Sequence, residues 1–208
     1  MSRAFVIGLL GAESTGKTTL AAELGAALAA PGQRVAVVPE YLREFCHRAG
    51  RTPRQEEQAG IAAQQSLRIS EAAETHDIVV ADTTALMIAV YSEQVFGDTG
   101  LYASALTDHA RSNLTLLTAL DLPWQADGLQ RDGPHVREPV DALVRAALAR
   151  AAIDCAVVFG QGPQRLANAL AAVERARQPP VADGAKRWQW VCERCGDAGC
   201  ERHLLASL

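Results

Sequence analysis

At 208 residues the chain is long enough to bury a full hydrophobic core, and its length suits one principal domain with a small appendage. A formal net charge of -4 gives no global attraction to polyanions, which excludes nucleic acid as an expected partner, and no apolar run reaches the roughly twenty residues that a membrane helix needs. Of the five cysteines three crowd into the last seventeen residues, unlike a secreted disulfide framework, so a reducing, cytoplasmic location and a local metal site are expected.

Ala4 to Leu10 is a continuous apolar run closed by Gly11, which predicts a buried first strand rather than a signal segment. The alanine-rich stretch from Thr18 to Ala30 predicts a helix stopped by Pro31-Gly32. Val35 to Val38 is a short β-branched strand ending at Pro39-Glu40, and Gln55 to Thr75 is polar and helix-prone. Ile78 to Ala81 is a third strand closed by Asp82, and Leu114 to Leu120 a fourth, ending at Asp121 before Pro123. From Glu138 to Ala152, Val140, Leu143, Val144, Ala147 and Leu148 recur at helical spacing and make one apolar stripe. Cys155 to Phe159 is a fifth strand, and a last helix runs from about Pro163 to Gln178, before Pro179-Pro180. Strands alternating with helices imply an α/β fold, a parallel five-stranded sheet with helices on both faces, whose chemistry lies beyond the carboxyl ends of the strands. Residues 1-178 form the predicted domain, and 179-208 a linker followed by a cysteine and histidine tail.

The loop between the first strand and first helix, GAESTGKT at 11-18, matches the phosphate-binding pattern G-x-x-x-x-G-K-[ST] at every fixed position, in the required context. Gly11 and Gly16 let the backbone turn close to phosphate oxygens, and the helix N-terminus adds its dipole. Lys17 is expected on the β- and γ-phosphates and Thr18 on Mg²⁺, with Glu13, Ser14, Thr15 and Thr19 completing the contacts to ATP. Asp82 stands where such proteins hold the carboxylate that orients magnesium; its alternative role is to cap a helix.

Beyond the loop, PEYLRE at 39-44, ADTT at 81-84, YSEQVFG at 91-97 and DLPWQADGLQRDG at 121-133 are longer than phosphate binding requires. With these motifs the chain, from residue 4 to about 178, resembles the ribosylnicotinamide kinase domain of NadR-type proteins. The resemblance implies a P-loop fold of the nucleoside and nucleotide kinase type and transfer of the γ-phosphate of ATP to the 5′-hydroxyl of nicotinamide riboside, giving nicotinamide mononucleotide. Only the kinase is expected here, because the resemblance starts too early to leave room for a DNA-binding or adenylyltransferase domain before it. Thr84 departs from the family, where a second acid is expected, and this leaves the nucleoside open.

Within that reading Lys17, Glu40, Asp82 and Arg131 are the candidate catalytic residues. Glu40, at the end of the second strand, either accepts the acceptor hydroxyl's proton, holds the ribose, or is a surface carboxylate; Asp82 is the other candidate base. Tyr41 and Trp124, with Tyr91 behind them, are candidate flat partners for a cationic pyridinium, or packing residues, and Arg43 and Asp127 candidate substrate contacts. Residues 124-137 read as a lid, with Arg131 able to set a guanidinium on transition-state charge. Two other readings stay open: a kinase of another nucleoside-like acceptor, and a P-loop ATPase or nucleotide switch that binds a protein partner.

In the tail Cys192, Cys195, Cys200 and His203 form C-x2-C-x4-C-x2-H, a closed four-ligand set that predicts a structural zinc knuckle, with a tail of free thiols as the alternative. Cys46 and Cys155 read as buried apolar residues. Nothing in the sequence specifies an oligomer.

Overall fold

The computed structural model describes residues 4-125 and 133-178. A first compact unit spans Met1-Ala176; the second, from Arg177, lies almost wholly outside the described residues, as do the four expected zinc ligands.

Five parallel strands, β1 (Phe5-Leu10), β2 (Val35-Val38), β3 (Ile78-Asp82), β4 (Leu114-Thr118) and β5 (Ala156-Val158), form one sheet in the order β2-β3-β1-β4-β5. β1 and β3 are apolar at nearly every position because helices cover both faces and no side faces water. On one face α1 (Lys17-Leu28) and α7 (Gly162-Arg177) bury Leu20, Leu24, Ala169 and Val173 against Ile7, Leu9, Val80 and Leu116. On the other, α3 (Gln55-Thr75), α4 (Ala85-Phe96), α5 (Tyr102-His109) and α6 (Arg137-Arg150) gather around Leu10, Ala12 and Leu117, with α2 (Tyr41-Ala49) packed through Leu42 and Phe45.

The strands match the expected ones to within two residues, and α3 has the expected bounds. Three helices, α2, α4 and α5, escaped the sequence pattern, the first two for opposite reasons. α4 has no polar face, since Ala85 to Val90 are all buried, so it lacks a 3.6-residue period. α2 does have one: Leu42, Phe45, Cys46 and Ala49 recur at helical spacing before Gly50, whose φ of 67° closes the helix on the Cys46 carbonyl. Cys46 is buried as expected, but Cys155 is exposed: β5 is an edge strand that starts only at Ala156, leaving Cys155 in the loop before it.

Candidate functional site

The loop after β1 is held from within. The Lys17 ammonium donates to the carbonyls of Gly11 (2.9 Å) and Ala12 (2.8 Å), and Thr15 Oγ1 donates to the Ala12 carbonyl (2.8 Å). Thr15 also meets the Thr118 hydroxyl at 2.7 Å, which itself donates to the Leu10 carbonyl (3.1 Å), so the end of β4 braces the loop. Gly11 has a φ of 147°, and a Cβ there would fall inside contact distance of the Thr118 hydroxyl; no other residue type fits. Gly16, at 74°, ends the loop, and α1 starts at Lys17 with Thr18 and Thr19 exposed on its first turn.

A buried arginine that the sequence did not single out anchors the loop from behind. Arg165 of α7, 4% exposed, donates Nη2 to the Thr15 carbonyl (2.7 Å) and Nη1 to the Gly160 carbonyl and to Asp121 (both 2.9 Å). Burial works against the Asp121 carboxylate, but the Gly160 N-H and Arg165 outweigh it and hold the group below its ordinary range. Asp121 is thus the partner of a structural arginine. On the open side Ser14, at a φ of 54°, accepts from the Gln125 N-H (2.7 Å) and donates to the Gln125 carbonyl (3.4 Å).

Two acids stand at the ends of the neighbouring strands. Asp82 is 2% exposed, and its Oδ1 has no hydrogen-bond partner among the described residues. It does not cap α4; Thr84 does, accepting from the Leu86 N-H (3.4 Å). Glu40 keeps 11% of its side chain exposed and pairs with Arg43, one turn on, at 3.6 Å. Burial raises the Glu40 carboxyl above its ordinary range, with the charge of Asp82 adding to the effect and Lys17 and Arg43 opposing it. Burial likewise lowers Lys17, against the attraction of Glu40 and Asp82. The fold therefore brings three of the four candidate catalytic residues into one mutual field. Arg131, like Asp127, lies outside the described residues.

One cavity of about 810 Å³ is lined by Lys17 and Glu40, while Asp82, almost fully buried, is not in its lining. The loop from Glu13 to Thr19 lines the cavity together with Leu122, Gln161, Glu40, Arg43, Gln58, Tyr91 and Phe96. Its size is that of a site for a small organic ligand. Tyr41 and Trp124 are not in its lining: the Tyr41 ring lies under the Arg68 guanidinium, 4.5 Å from its centroid, and its hydroxyl accepts from Arg48 (3.0 Å). The aromatic residues that do line it are Tyr91 and Phe96, on the last turns of α4.

Thr84, where the family resemblance led us to expect an acid, also meets His109 Nδ1 at 3.0 Å, while His109 Nε2 meets the Thr115 hydroxyl at 2.9 Å. Burial depresses this imidazole to about 4 and keeps it neutral. Among the described residues no group of three or more potential metal-binding side chains occurs, and no helix is long and apolar enough to cross a membrane.

The model of an AAA domain family, AAA_28, matches residues 6-165. No protein of curated function matches the sequence. Among solved structures the chain is similar to a NadR protein in complex with NR (20% identity, TM-score 0.69) and to a NadR protein in complex with NAD and AMP-PNP (20%, TM-score 0.65). Each alignment covers 83% of this chain but 49% of the other, so the chain spans about half the length of these proteins. It is also similar to thymidylate kinase from Ehrlichia chaffeensis (15% identity, TM-score 0.58), over 84% of this chain and 99% of that one. The fold is therefore that of P-loop nucleoside and nucleotide kinases.

Proposed function

From the premise that the chain belongs to the AAA domain family AAA_28, we propose that it is an ATP-dependent small-molecule kinase acting on the 5′-hydroxyl of nicotinamide riboside, a step of NAD salvage. The observation that carries this reading is one cavity lined both by the phosphate loop and by a buried, raised carboxyl, Glu40. A bare nucleotide switch has no use for a raised carboxyl beside the loop. The fold shared with a NadR protein bound to NR supports the choice of acceptor.

Phosphoryl transfer asks the protein for positioning and charge, with little covalent work. Lys17 and the loop N-H groups would hold the donor's phosphates. Glu40, raised toward the working pH by burial, would take the proton of the acceptor hydroxyl, and Arg43 would keep it in place. The buried, unpartnered Oδ1 of Asp82 and the exposed hydroxyl of Thr18 fit magnesium, which Asp82 would hold through a water. The ion supplies charge neutralisation at the transferred phosphoryl group. Tyr91 and Phe96 offer flat faces to the acceptor's ring.

Purified protein given Mg-ATP and nicotinamide riboside should release ADP and form nicotinamide mononucleotide in equal amounts. Failure to form the mononucleotide rejects this acceptor. Turnover with a different nucleoside or nucleotide would then select the second reading, for which the fold shared with thymidylate kinase speaks. ADP release indifferent to any acceptor would point to an ATPase or switch.

A further inference from the structure

The β2-β3 ladder stops at Val38 opposite Ala81, just short of both acids. It cannot go further, because the next residue of β2 is Pro39, which has no N-H to give. Beyond that point the chain also bends hard: Thr83 is a buried β-branched residue at a φ of 86°, a conformation that persists only where the surroundings impose it. Main-chain pairing between these strands thus ends where the site needs the two carboxylates fixed.

A side chain takes over. Gln65 of α3, 0% exposed, accepts from the Tyr41 N-H at 2.7 Å and donates to the carbonyls of Pro39 (3.3 Å) and Thr83 (3.2 Å). Its carbonyl and both amide protons are engaged, and the reverse orientation would set N-H against N-H and oxygen against two carbonyls, so the partners dictate the rotamer. Pro39 and Tyr41 are the two neighbours of Glu40, and Thr83 is the neighbour of Asp82. Gln65 shares the buried stripe of α3 with Gln58, Ile61 and Ala62, whose packing fixes its height above the sheet.

We infer that Gln65 is a positioning residue that sets Glu40 and Asp82 relative to each other, doing through one amide what the ladder can no longer do. The inference rests on the kinase reading for what the two acids accomplish, but the tie itself can be measured without an acceptor. Gln65 makes its hydrogen bonds outside the phosphate loop and is not in the cavity's lining, so its loss should separate donor binding from turnover.

Gln65→Met keeps the length of the side chain and removes all three bonds; Gln65→Glu keeps the acceptor for Tyr41 but has at most one proton for the two carbonyls of Pro39 and Thr83. Three readouts apply: amide hydrogen exchange at Tyr41, the magnesium dependence of ATP-analogue binding, and steady-state kinetics with Mg-ATP and nicotinamide riboside. In Gln65→Met, Tyr41 should lose protection, the magnesium requirement should rise, and kcat should fall by about ten- to a hundredfold. The KM for ATP should stay within about twofold. Gln65→Glu should keep Tyr41 protected yet still need more magnesium. The inference is overturned if Gln65→Met leaves both Tyr41 exchange and magnesium dependence as in the parent, or if exchange rises equally in α1 and β1, the mark of plain destabilisation. If the parent protein makes no mononucleotide, the riboside reading falls while the exchange and magnesium measurements still decide the tie.

Discussion

Replacing Arg165 with Met tests how the phosphate loop is held. The substitution roughly conserves the side chain's length while removing three donated bonds, to Thr15, Asp121 and Gly160. The Thr15 carbonyl belongs to a residue that is 0% exposed, and a buried acceptor left without a partner costs about 1-3 kcal/mol. Losing one partner of a fully buried ion pair would add about 3-5 kcal/mol, but the Asp121 side chain is 34% exposed and keeps the Gly160 N-H, so water recovers most of that. A net loss of about 3 kcal/mol follows, which for a chain of this size lowers the melting temperature by about 6-12 °C. The sign with pH is also fixed. The Asp121 carboxyl is held low in the folded protein, so its contribution is present above the ordinary carboxylate range and is lost as pH falls through the lowered value. The gap between parent and variant, read from urea unfolding, should therefore narrow in acid. A variant within about 0.5 kcal/mol of the parent at neutral pH would refute the buried-anchor account.

Gly11→Ala should abolish ATP-analogue binding in calorimetry, because its Cβ has no room beside Thr118; near-parental affinity would count against the loop geometry. Glu40→Gln should lower kcat by roughly 10²- to 10⁴-fold with the ATP constant little changed, and the parent's rate should decline in acid through a value above the ordinary 4.5 of a glutamate. An unaffected kcat would remove Glu40 as the base. His109 sits at about 4 against an ordinary 6.5, so between those values the unfolded chain takes up a proton that the folded one refuses; stability should fall by about 3 kcal/mol across that window and level off below it. Urea midpoints of His109→Gln that fall as steeply as the parent's over the same range would contradict this. Protein purified without chelator should carry one zinc per chain on Cys192, Cys195, Cys200 and His203, and a substoichiometric metal analysis would discard that assignment.

The sequence made the phosphate loop, the strand ends and Asp82 legible because each is local: a fixed spacing, an apolar run, an acid closing it. What it concealed was long-range or contrary to type. Arg165 reads as one more polar residue on a terminal helix, and only the fold brings it to Thr15, 150 residues away. Gln65 sat on a stripe that includes Ile61 and Ala62, so a glutamine at apolar spacing was the available signal, overlooked because α3 is polar overall. Tyr41 follows Glu40 in sequence, which made it look like a substrate contact, yet the first turn of α2 turns its ring to Arg68. Phe96 lay, with the weaker candidate Tyr91, in a motif whose helix had no detectable period.

The strand order β2-β3-β1-β4-β5 has a consequence for how such a protein diversifies. β1 is central, and the parts that grip its loop, Thr118, Asp121 and Arg165, come from β4, the turns after it and α7, all to one side. Glu40, Gln65 and Asp82 come from β2, α3 and β3, on the other. The hydrogen bonds that brace the loop thus share no residue with those made by Gln65, although α4 and α6 pack the two sides into one core. Under the kinase reading, changes of acceptor should accumulate between residues 39 and 96 while the grip on the phosphate donor stays constant.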